Sequence, residues 1–127
     1  MTFSFDVQEA LVVVNAELEG PSGTATLRLA LDTGATSSLL NLQLLTAVGY
    51  DPATTPERVQ ITTGSGVAFA PRVRVVRLRA LGQEFRDFPV VGHTLPPNTG
   101  VDGLMGLDFL RGLRLTVDFR RGEIELT

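Results

Sequence analysis

Apolar and polar residues alternate along most of this chain, the two-residue period of half-buried strands. Phe3, Phe5 and Val7 alternate with polar neighbours. A valine-rich run from Ala10 to Leu18, with Ala16-Glu17-Leu18-Glu19 alternating, and a second run from Thr24 to Leu31 through Leu27, Leu29 and Leu31 flank the turn cluster Gly20-Pro21-Ser22-Gly23, which predicts a hairpin. The period changes at Leu42, Leu44, Leu45 and Val48, where helical spacing takes over, with Asn41 placed to cap the helix and Gly49 to stop it. Strand signals return at Val59 to Thr63 and Val67 to Ala70, with Gly64-Ser65-Gly66 as the hairpin tip. From Arg72 to Leu81 arginines alternate with apolar residues, and Val75-Val76 shifts the phase as a bulge would. Another strand is expected at Glu84 to Val91, an irregular loop at Gly92 to Gly100, and a short helical stretch from Asp108 to Arg111 ended by Gly112. A hairpin, Leu115 to Phe119 and Glu123 to Leu126, closes the chain. The predicted class is all-β, a small barrel or sandwich with one or two short helices.

Composition narrows what such a domain does. At 127 residues and 43% hydrophobic, the chain reads as a single domain, 1–127, with enough apolar material for a core. A net charge of −3 argues against nucleic acid as a partner. Without cysteine there are no disulfides or thiolate metal sites. The N-terminus lacks the basic and apolar regions of a signal peptide, and no apolar run approaches membrane length, so a soluble, cytoplasmic protein is expected.

The segment richest in chemistry is Leu29-Ala30-Leu31-Asp32-Thr33-Gly34-Ala35-Thr36-Ser37-Ser38-Leu39. A carboxylate placed against a leucine-rich strand is costly to ionise, an arrangement structure alone rarely selects. Gly34 lets the backbone approach a ligand or a partner chain. The competing reading has Asp32 opening a tight turn with an Asx hydrogen bond, and on spacing alone that reading is the stronger. Other signals carry less. His93, the single histidine, sits in a proline-rich loop with no nucleophile elbow nearby, which disfavours a catalytic triad. Asp102 and Asp108 read as a turn acid and a helix cap rather than metal ligands. Gly64-x-Gly66 lacks the third glycine and the βαβ context of a dinucleotide loop. Arg72, Arg74, Arg77 and Arg79 read as a solvated strand face. No metal and no cofactor is expected.

Asp32-Thr33-Gly34-Ala35 resembles the Asp-Thr/Ser-Gly-Ala/Ser signature of aspartic proteases. Downstream, Asp102-Gly103-Leu104-Met105-Gly106-Leu107-Asp108-Phe109-Leu110 resembles the apolar-apolar-glycine segment and short helix of the retropepsin-like, or retroviral-type, proteases, most closely their cellular and bacterial single-domain members. Between them, Ile61 to Val67 stands where that family carries a glycine-tipped flap. The resemblance spans Ala10 to Leu126 and implies a small closed β-barrel with one Asp-Thr-Gly per chain. It implies that Asp32 is catalytic, that Thr33, Gly34, Ala35, Leu104, Met105 and Gly106 support the active site, and that Thr62, Thr63, Gly64, Ser65 and Gly66 form a flap over the substrate. Two carboxylates sharing a proton can supply both the base and the acid that peptide hydrolysis needs. With one such acid per chain, the resemblance implies a homodimer acting on an extended peptide or protein. The chain departs from the viral pattern at Thr36 and Leu107, where viral enzymes carry an acid and an arginine; both charges are missing together, so neither is stranded. The expected function is aspartic endopeptidase; the alternatives are a dimerisation or peptide-binding module with little turnover, and a structural barrel.

Overall fold

A computed structural model describes residues 1–127, the side chain of Thr63 excepted. Its strands are β1 (Thr2–Ser4), β2 (Val13–Gly20), β3 (Gly23–Leu31), β4 (Leu39–Asn41), β5 (Arg58–Thr63), β6 (Gly66–Ala80), β7 (Gln83–His93), β8 (Gly103–Met105), β9 (Leu115–Asp118) and β10 (Glu123–Leu126); its helices are α1 (Leu42–Ala47) and α2 (Leu107–Leu110). Strands pair in the order β2-β3-β8-β4-β7-β6-β5, and β6 pairs again with β2. That second pairing joins the ends of a six-strand circuit and closes a barrel, leaving β5 outside as a partner of β6 alone.

Alternation decides which way each strand faces. In β2 and β3, Val14, Ala16, Leu18, Leu27 and Leu29 point inward and are buried, while Asn15, Thr26 and Arg28 point out. Inside the barrel Phe109 of α2 meets Phe85 and Phe88 edge-on, with ring centroids 4.8 and 6.0 Å apart. Such contacts add about 0.5–1.5 kcal/mol each beyond the area they bury. The Asn41 side chain accepts from the Gln43 amide at 3.1 Å and caps α1 as expected.

Several boundaries differ from the sequence pattern. The first strand stops at Ser4, because Asp6 turns the chain by accepting from the Gln8 and Glu9 amides. Ala10 and Leu11 precede β2 rather than open it. The phase shift at Val75-Val76 is present, yet no residue is inserted: Val75 pairs with Phe88 and Arg77 with Arg86, so β6 and β7 kink together. The burial phase accordingly moves from Val73 and Val75 to Leu78 and Ala80. At the kink Asp87 takes a positive φ of 52°, and the Val76 amide donates to the Tyr50 hydroxyl at 2.8 Å. Burial of that hydroxyl raises the Tyr50 pKa.

Arg77 is not part of a solvated face. Its side chain is 14% exposed and ion-paired with Glu17, Glu19 and Glu84. At the chain ends, β10 lies between β1 and β9, which form the outer edges of a separate three-stranded sheet.

Candidate active site

Strand β8 lies between β3, which it parallels, and β4, which it opposes. The chain therefore leaves β3 at Leu31, loops through residues 32–38, and re-enters on the far side of β8. This crossing is too tight for side chains at two positions. A Cβ on Gly103 would stand 2.1 Å from the Leu39 carbonyl oxygen, and one on Gly106 would stand 2.8 Å from the carbonyl oxygens of Ala35 and Ser37.

Polar contacts fix the loop to its support. The Asp32 amide donates to the Met105 carbonyl at 2.9 Å, and the Leu107 amide to the Ala35 carbonyl at 2.8 Å. Ser38, wholly buried, donates its hydroxyl to Asp108 at 2.7 Å, while its amide donates to both oxygens of the same carboxylate at 2.9 Å. The Ser38 hydroxyl in turn accepts from the Gly106 amide at 3.0 Å. Every buried side-chain polar atom among the described residues is satisfied, as a low-dielectric site demands.

Asp32 shows that the turn reading and the chemical reading are compatible. Its Oδ1 accepts from the Gly34 amide at 2.9 Å, an Asx turn, and Oδ2 takes no hydrogen bond from the protein among the described residues. One oxygen is used to hold the carboxylate in place and the other is left for water or a ligand. Thr33 and Gly34 are exposed at the tip of the loop, and Ala35 is half-buried. Met105 and Gly106 are buried beneath it; Leu104, half-buried, pairs with Ala30 and Leu39.

Two acids named in the sequence are committed elsewhere. Asp108 is not a helix cap: the N-cap of α2 is Gly106, and the Asp108 carboxylate reaches across to Ser38 instead. Asp102 accepts from the Arg28 amide at 2.7 Å and donates its own amide to the Arg28 carbonyl, extending the β3–β8 ladder by one position. Among the described residues no three metal-ligating side chains cluster.

A groove of about 650 Å³ opens beside the loop. Gly34, Ala35, Thr36 and Ser37 form one wall, and Val59, Gln60, Ile61 and Thr62 of β5 form the opposite one. Its floor is a row of residues in register across three strands, Leu39 of β4, Val91 of β7 and Arg72 of β6, with His93 beside them. The β5–β6 hairpin overhangs this groove, with a two-residue tip, Gly64-Ser65. Thr62 lines the groove, whereas Gly64, Ser65 and Gly66 are exposed at the tip away from it; the side chain of Thr63 lies outside the described residues. A second hollow of about 410 Å³, between Met1, Phe3 and the β2–β6 seam, contains no residue of either signature.

The profile of the family described as aspartyl protease matches residues 14–109, from β2 to Phe109. The chain belongs to the aspartyl protease family. Among solved structures it is similar to a retropepsin-like aspartic protease from Rickettsia conorii, with a TM-score of 0.71 and 17% identity over 99% of this chain and 88% of that one. No match was found among curated proteins. The closed barrel is thus a retropepsin-like one, and family and fold together point to protease function. In this member of the family the stretches around Asp32 and Gly106 lie together at β8, and the groove floor is a feature that the sequence reading did not include. Arg72 and His93 lay in a stripe and a loop whose facing becomes definite only once the β4–β7–β6 register is known.

Proposed function

We propose that this chain is one half of an aspartic endopeptidase, with Asp32 of two copies meeting across a twofold axis. The supporting observation is the Asp32 carboxylate itself: it is held through one oxygen, presented through the other, and has no second free carboxylate beside it, since Asp102 and Asp108 are both engaged. Two such groups brought together share one proton, because like charges a few ångströms apart resist joint ionisation. The ionised member takes a proton from a water as it attacks the peptide carbonyl, and the protonated member hydrogen-bonds the carbonyl oxygen and later supplies the proton to the leaving nitrogen. Thr33, exposed at the loop tip, is placed for contact with the second copy, and Gly34 for contact with the substrate backbone. Thr62, Thr63, Gly64, Ser65 and Gly66 form the flap that closes on an extended peptide. Contact through the Asp32 loops carries the proposal, since both edges of β10 are taken within the chain and the terminal sheet offers a partner only the outer edges of β1 and β9.

The test is Asp32→Asn. The asparagine oxygen still accepts from Gly34, so fold and melting temperature should hold, while peptide cleavage falls by roughly a thousandfold or more. Wild-type specific activity should also fall on dilution as dimers dissociate. Cleavage by Asp32→Asn near the wild-type rate, or constant specific activity from a monomer over a hundredfold dilution, overturns the proposal.

A further inference from the structure

Strand β6 carries four arginines, and they divide sharply. Arg74 lies 3.8 Å from Asp87, Arg77 is clasped by three glutamates, and Arg79 lies 3.1 Å from Glu17. Among the described residues the Arg72 guanidinium has no acidic partner and no hydrogen bond. Among the described residues it is the one half-buried arginine besides Arg77, and it lines the groove as well as a smaller hollow beside Tyr50 and Glu57. Its register partner is Val91, whose other neighbour is Leu39, so an apolar strip leads straight to a cationic end. Among the described residues no carboxylate lines this groove, and His93 adds an imidazole rather than an acid.

A half-buried arginine with no ion pair and no hydrogen bond among the described residues keeps its five N–H donors for water or a ligand. Its planar fork matches a carboxylate through two parallel hydrogen bonds, and an apolar surround that excludes water strengthens the pair. The methylenes of a glutamate side chain fit along Leu39 and Val91, with its carboxylate at the guanidinium. We infer that Arg72 is a specificity-determining residue, and that the groove selects peptides carrying an acidic side chain, glutamate above all, at one position near the scissile bond. This rests on the groove being the substrate site proposed above.

The experiment uses fluorescein-labelled peptides in which each position in turn is Glu, Gln or Leu, with binding to the full-length Asp32→Asn protein read by anisotropy and cleavage by the wild type measured on the same set. At one position the Glu peptide should bind roughly tenfold more tightly than its Gln counterpart. Added salt should shrink the ratio. Arg72→Met should bring it to about one, and Arg72→Glu should turn it in favour of a peptide with Lys at that position; melting temperatures identify any variant that fails to fold, and Arg72→Gln then serves as the second neutral variant. Absence of a Glu preference at every position, or one that survives loss of the guanidinium, overturns the inference. If peptides are cleaved without regard to Glu, the arginine's role fails and the protease reading stands. If Glu-dependent binding occurs with no cleavage at any protein concentration, the protease reading fails and the subsite stands. Peptides neither bound nor cleaved overturn both.

Discussion

The support beneath the Asp32 loop and the β5–β6 hairpin are built on opposite terms, and their glycines show it most directly. Below, Gly103 and Gly106 are glycines because backbone atoms occupy the space a side chain would need. Above, nothing lies within 4 Å of a Cβ on Gly64 or Gly66. Below, Ser38 and Asp108 are locked to the loop by four short contacts, whereas above the hairpin has the β5–β6 ladder and exposes Val67 and Phe69 at 59% and 70%. Close packing is concentrated beneath the Asp32 loop and open space surrounds the hairpin tip, the division that the proposed protease would use to hold a carboxylate and admit a peptide.

The sharpest way to break this contrast is Gly103→Ala. A methyl group cannot share space with the Leu39 carbonyl, so the substitution should cost about 3 kcal/mol or prevent folding, measured by urea denaturation. Next comes Ser38→Ala, which strands the Gly106 amide and removes one donor from Asp108; a loss of about 2 kcal/mol is expected, with kcat falling more than KM rises as the Asp32 loop loosens. A smaller effect tests the barrel end of the strand that carries the hairpin. There the Glu17 carboxyl is held below its ordinary value of 4.5, first by its hydrogen bond from Arg77 and then by the charge of Arg79. A lowered folded-state pKa contributes stability that is present above the unfolded value and lost as pH falls through the folded one. The melting temperature should therefore decline as pH drops below about 4.5, and less steeply in Glu17→Gln. Smallest of all is Gly64→Ala, expected within about 0.5 kcal/mol of wild type by the same denaturation. Gly66, at φ +122°, closes the turn in a backbone conformation that calls for glycine, whereas Gly64 has no positive φ.

Local signals were legible where the sequence itself enforces them. Alternation placed the strands, Asn41 and Gly49 bounded α1, and the two glycine-bearing signatures marked the stretches that cross at β8. What escaped depends on contacts between distant residues. Ser38 and Asp108 are seventy positions apart, and nothing near Asp108 distinguishes a cap from a reach across the site. The arginine stripe looked uniform because period-two patterning specifies opposite faces without saying which face meets acid, groove or water. Register separates Arg72 from Arg77, and register is a property of the assembled sheet.

Strand β6 runs for 15 residues, about 50 Å of chain at some 3.3 Å per residue, from the hairpin tip into the barrel wall. It is stitched to β5 as far as Pro71 and to β7 from Arg72 onward, and Tyr50 clamps it at Val76. The hairpin and the wall thus share one strand whose exchange of partners falls at Pro71-Arg72, so the arginine at the end of the groove floor is also the first residue that the wall holds.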